Sequence, residues 1–118
     1  MRNKSKETVL HENPRWATSV WQLAKGFMFT APKNDALIMV FSSPQEVRLH
    51  MLFVFAPIDV IALNESGKVI AIKEEFKPWT FWHPGVKASA VLELPAGTIA
   101  RSRTEVGDTI QLPDTIGK

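Results

Sequence analysis

The sequence predicts a mainly β fold of the sandwich or jelly-roll-like kind with one N-terminal helix. Three observations carry this. Short apolar runs recur at close spacing between turn residues, as in all-β domains. One early segment alone has a clear helical period. No β-α-β alternation of the kind that builds a parallel sheet follows it.

The helix is expected over Pro14 to Lys25. Asn13 suits the N-cap, Pro14 the first helical position and Gly26 the C-terminal stop. Trp16, Val20, Leu23 and Ala24 form an apolar stripe at helical spacing, and Lys25 places a cation in the last turn. Before it, Glu7 to Glu12 reads as a short strand, and residues 1–6 as a frayed tail.

After the helix the period changes to that of strands. Ala36 to Phe41 is closed by Ser42, Ser43 and Pro44. Leu49 to Phe55 and Ile58 to Leu63 follow, with Pro57 marking a bend between them. Asn64-Glu65-Ser66-Gly67 reads as a hairpin loop with Lys68 to Glu75 as the returning strand. Lys77 to Lys87, interrupted by Pro78, Pro84 and Gly85, reads as a long loop. Ala88 to Leu94 is a strand closed by Pro95-Ala96-Gly97. A helical turn is expected over Ala100 to Glu105 and a last strand over Thr109 to Leu112.

With 118 residues, 45% apolar and 22% charged, the chain fits one domain, 1–118, with a single core. Its formal charge of +2 is too small for a nucleic-acid footprint, and the basic cluster Arg2, Lys4 and Lys6 sits at a terminus. No nucleic-acid partner is expected. The chain has no cysteine, which excludes disulfides, thiolate nucleophiles and cysteine-ligated metals. The apolar run Met51 to Leu63 contains Pro57 and Asp59 and is too short to span a bilayer. No membrane contact and no signal peptide are expected, and the cytoplasm is the simplest location.

Several motifs in order resemble a known family. They are Gly26-Phe27-Met28-Phe29, then the stretch from His50 through Pro57, Ile58 and Asp59 to Val60, then Gly67-Lys68-Val69-Ile70 and Lys77-Pro78-Trp79. Val91-Leu92-Glu93-Leu94-Pro95-Ala96-Gly97-Thr98 and Val106-Gly107-Asp108 complete the set. This pattern is similar to the domain of unknown function 192, in particular its archaeal-type members. The resemblance implies a compact β-sandwich or jelly-roll-like fold with a helix near the N-terminus, and no defined activity. The chain departs from many relatives at Thr30 and Ala31, where they carry an arginine. It departs again at Leu49-His50-Met51-Leu52-Phe53, where they carry Phe-Trp-Met-Lys-Asn. A ligand site shared through those polar groups would be altered here.

Asp59 and Glu93 are carboxylates inside apolar strands, a costly placement unless each is paired or hydrogen-bonded. On neighbouring strands they could form a catalytic pair acting on a sugar-like substrate, with Lys73 or Arg48 as a cationic partner. The plainer expectation is that each accepts backbone N–H groups at a bend, Asp59 after Pro57 and Glu93 before Pro95. His11, His50 and His83 share no short ligand spacing, so neither a metal nor another cofactor is expected. Phe76, Trp79, Phe81 and Trp82 crowd the loop that ends at His83. At least two of them are expected to cap the core, while exposed members could stack on a ligand. The leading expectation is a non-catalytic binding or interaction module, taking a small molecule or a protein near Trp79, Trp82 and His83. The small carboxylate enzyme is the alternative.

Overall fold

A computed structural model describes residues 1–16, 35–47, 49, 50 and 56–113. Numbered among these, the strands are β1 (Arg2–Asn3), β2 (Thr8–Val9), β3 (Arg15–Trp16), β4 (Leu37–Glu46), β5 (Leu49–His50), β6 (Ile58–Leu63), β7 (Val69–Phe76), β8 (Phe81–Trp82), β9 (Lys87–Pro95) and β10 (Ile110–Gln111). One helix, α1 (Thr98–Ser102), stands between β9 and β10. The chain is mainly β, as the turn-punctuated runs require. No helix among the described residues is long and apolar enough to cross a membrane.

The frame is a five-stranded mixed sheet in the order β3-β4-β9-β6-β7, antiparallel except for the parallel β3–β4 pair. Strand alternation sends its side chains to two faces. Ile58, Val60 and Ala62 of β6 pack with Leu37, Met39 and Val91 on one face. Ile61 and Leu63 pack with Ile38, Leu92 and Leu94 on the other. Every residue of β6 is buried, so this strand lies at the centre of both clusters. On the second face Ile99 of α1 closes the core, together with Leu10 and Ile110 beside the small sheet β10-β1-β2.

The β6–β7 hairpin forms where its turn residues place it. Asn64 Oδ1 accepts the N–H groups of Ser66 and Lys68 at 3.0 and 2.9 Å, an Asx-type turn. Gly67 adopts φ +82°, and a Cβ there would stand 2.9 Å from the Ile110 carbonyl oxygen. The turn therefore needs glycine for both conformation and space.

Four expectations are corrected. The helix predicted over Pro14 to Lys25 does not begin there. Arg15 and Trp16 pair in parallel with Leu37 and Ile38, and the Arg15 N–H donates to the Ala36 carbonyl at 2.8 Å. Trp16 packs against the second-face cluster. At Arg15 and Trp16 the helix signals are local, and pairing with β4 outweighs them. The rest of that segment, residues 17–25, lies outside the described residues.

Residues 1–6 are not a frayed tail. β1 is the middle strand of its sheet, and the fully buried Asn3 donates to Thr104 Oγ1 at 3.0 Å and Asp108 Oδ2 at 2.9 Å. Lys6 also reaches Asp108 Oδ2, at 2.9 Å. Polar residues read as a solvated end are thus the closing contacts of the small sheet.

The helical turn falls at Thr98–Ser102 rather than Ala100 to Glu105. The loop Lys77 to Lys87 contains β8, paired with β5. The strand expected over Leu49 to Phe55 is described at Leu49–His50, and residues 51–55 lie outside the described residues.

Candidate functional site

The two carboxylates singled out in the sequence do not meet. β6 and β9 pair so that Asp59 opposes Leu94 and Val60 opposes Glu93. Directly opposed residues share a face, so Asp59 and Glu93 project to opposite faces of the sheet. The paired-carboxylate arrangement has no geometry in this fold.

Asp59 is fully buried on the second face. Its Oδ1 accepts the Glu75 N–H at 2.9 Å and its Oδ2 the Ile99 N–H at 2.8 Å. Both donors are explained by local backbone. Ile58 opposes Phe76 while Val60 opposes Lys73, so Glu74 and Glu75 both face Asp59. That is a β-bulge, and Glu75 takes φ 48° within it, which releases its N–H from the ladder. Ile99 sits in the first turn of α1, whose cap residue Gly97 supplies no side-chain acceptor. Asp59 fills that role from the sheet. The sequence expectation of backbone N–H acceptance holds, with the donors on the neighbouring strand and the helix.

Glu93 lies between Val60 and Leu37 in the first-face cluster and is 6% exposed. It does not accept the backbone bonds expected before Pro95: its Oε1 is buried and has no hydrogen-bond partner among the described residues. Burial pushes its carboxyl up to about 7, because loss of hydration disfavours the anion. Of the cations considered beside it, Lys73 is exposed on the edge strand β7, and Arg48 lies outside the described residues.

The aromatic loop divides between core and surface. Phe76 is fully buried and Trp82 is half-buried against the first-face cluster. These two meet the expectation that the loop helps to close the core. Trp79 and Phe81 stay outside, 53% and 70% exposed. Trp79 follows Pro78 in a turn and holds φ 67°. A proline followed by a positive φ is the pattern of a type II turn, whose third position favours glycine. A bulky aromatic there is a backbone outlier. His83 Nε2 hydrogen-bonds Glu46 Oε1, tying the end of this loop to the end of β4. Glu46 carried no local signal in the sequence, because the contact spans distant segments.

Two of the hollows among the described residues lie elsewhere. One of about 610 Å³ runs between residues 9–13 and the turn Pro95-Ala96-Gly97-Thr98. Arg101 lines it, but its guanidinium is already committed to the carbonyls of Val9 and Leu10, both at 2.9 Å. The other, about 390 Å³, adjoins the β6–β7 turn. The scattered histidines do not gather: His83 is joined to Glu46, and His11 Nδ1 accepts the Asn13 N–H at 3.1 Å. The side chain of His50 lies outside the described residues. Among the described residues no group of three or more His, Asp and Glu is set to hold a metal ion.

Comparison with known proteins places this architecture. The model of the family DUF192 (Uncharacterized ACR) matches residues 2–112. A UPF0127 protein of Thermococcus sibiricus is 35% identical over 112 residues, covering 92% of this chain and 71% of that protein. A UPF0127 protein of Pyrococcus furiosus is 32% identical over 115 residues, covering 94% and 96%. The crystal structure of a protein of unknown function from Novosphingobium aromaticivorans superposes with a TM-score of 0.73 at 25% identity, covering 82% of this chain and 72% of that one.

Proposed function

This chain belongs to the DUF192 family, and from that premise we propose that it is a non-catalytic binding module that engages a protein partner through Trp79 and Phe81. The observation that carries the reading is Trp79 itself. Trp79 is held at φ 67° and keeps 53% of its surface in solvent. Such outliers cluster at functional positions. Tryptophan is also enriched among the residues that dominate protein interfaces.

A protein suits this corner better than a small ligand. Trp79 and Phe81 are 53% and 70% exposed, the kind of surface a protein interface covers, whereas small molecules favour concave sites. A nucleic acid is not favoured either, since Lys6 of the basic N-terminal cluster is bound to Asp108 and Glu105. The cytoplasm is proposed as its location; a reducing cytosol permits but does not require a cysteine-free composition. Separation of Asp59 from Glu93 leaves the sugar-directed enzyme without its acid pair, which supports the non-catalytic reading.

The test uses Trp79→Gly, which relieves the positive φ and removes the anchor. Peptides selected from a displayed library on the wild-type protein should bind it, and should lose the Trp79→Gly variant. Equal peptide binding by the variant overturns the reading.

A further inference from the structure

We propose that Glu93 is an internal proton latch, which holds the loop Lys77 to Lys87 against the first face of the sheet while protonated and releases it when ionised. Register places the carboxyl at the centre of that face. Across the sheet one row runs Arg15, Leu37, Glu93, Val60 and Lys73, on β3, β4, β9, β6 and β7 in turn. Directly opposed residues share a face. The two cations stand at the outer ends and are exposed, and Arg15 is joined to Asp35 at 3.7 Å. Leu37 and Val60, the direct neighbours of Glu93, are apolar. Asp59 of β6 lies on the opposite face, and Glu46 at the far end of β4 is bonded to His83 of the loop. Glu93 Oε1 is therefore buried without a partner.

The loop helps to close this face. Among the described residues, the side chains packed on the first-face cluster from outside the five-stranded sheet are Val47, Trp82 and Val86. The Val47 N–H donates to the Val86 carbonyl at 3.0 Å, and β8 is held by its short pairing with β5. A carboxyl buried without a partner is tolerated as the neutral acid, and burial moves its pKa up to about 7. Once ionised it needs water. β9 itself is paired on both sides, whereas the loop holds on through few contacts. The loop is the part that yields. Opening then releases one proton between 4.5 and about 7, so the open fraction rises about tenfold per pH unit across that window and levels off above it.

Amide hydrogen exchange from pH 5 to 8, expressed as protection relative to the intrinsic rate, tests this. Protection of the Val47 amide should fall about tenfold per pH unit up to about pH 7, then level off. At every pH this amide should exchange faster than those of β6, which mark global unfolding. Glu93→Gln and Glu93→Leu, both neutral throughout, should each make the protection independent of pH. His83→Gln should keep the wild-type slope, which separates the latch from the titratable group at the loop's end. Flat protection in the wild type, a slope that survives Glu93→Gln, a slope lost with His83→Gln, or a Val47 amide no faster than those of β6 each overturns the proposal. No partner takes part in the measurement, so a failure of peptide binding at Trp79 leaves it intact.

Discussion

Asp59 Oδ2 accepts the backbone N–H of Ile99 at 2.8 Å across 40 residues of sequence, so a carboxylate in the central strand caps the helix packed over it. Through Oδ1 the same side chain also satisfies Glu75 in the bulge of β7. One residue thus ties the sheet, its bulge and α1 together.

Removing that carboxylate leaves two N–H groups without their acceptor. Each unsatisfied buried donor costs about 1–3 kcal/mol. Asp59→Ala should therefore lower the denaturant midpoint clearly. Asp59→Asn should fall between Ala and wild type, since its amide oxygen serves one donor while its NH2 group confronts the other. Urea titration checks this, and an Asp59→Ala protein as stable as wild type removes the structural account.

Glu93 makes stability depend on pH in a definite direction. Its folded-state value is raised by burial from 4.5 to about 7. Below 4.5 both states hold the proton. Between 4.5 and 7 the unfolded chain releases it while the folded chain retains it, so stability falls as pH rises, then levels off. The full loss is roughly 3 kcal/mol at about 1.4 kcal/mol per pH unit. Denaturant titrations from pH 4 to 8 should show this decline, and Glu93→Gln should flatten it. A wild-type curve that rises across this window contradicts the assignment.

The acid limb should report on Asp108. Burial pushes its carboxyl up, but hydrogen bonds from Asn3, Lys6 and the Glu105 N–H, with the Lys6 charge, hold it below the usual range. A depressed folded value contributes stability above the unfolded one, and this is lost as pH falls through the folded value. Asp108→Asn should be less stable than wild type at neutral pH, and the gap should narrow toward strong acid. A gap that stays constant with pH shows that charge is not what the network stabilises.

Gly67→Ala combines a positive φ with a contact to a backbone oxygen that has no side chain able to move aside. The left-handed conformation alone costs about 1–2 kcal/mol for a residue with a Cβ. Thermal melts should show a clearly lower transition. In contrast, alanine at Gly85 meets no atom within 4 Å, and its cost should come from the positive φ alone.

Features encoded within a few residues could be read directly from the chain. Ile58 to Leu63, the Asn64–Gly67 turn and the strand after it were legible because alternation, an Asx side chain and a glycine act locally. The cost of Asp59 and Glu93 inside apolar strands was equally legible, and so was the choice to bury some loop aromatics. Tertiary structure alone decided the rest. Antiparallel register sent Asp59 and Glu93 to opposite faces, and a shift of one residue would have reversed that relation. Pairing with β4 drew Arg15 and Trp16 into a strand against their helix signals. Asn3 and Lys6 became closing contacts only because Asp108 and Thr104 return to meet them. These outcomes depend on which distant segments meet, and local propensity contains no record of that.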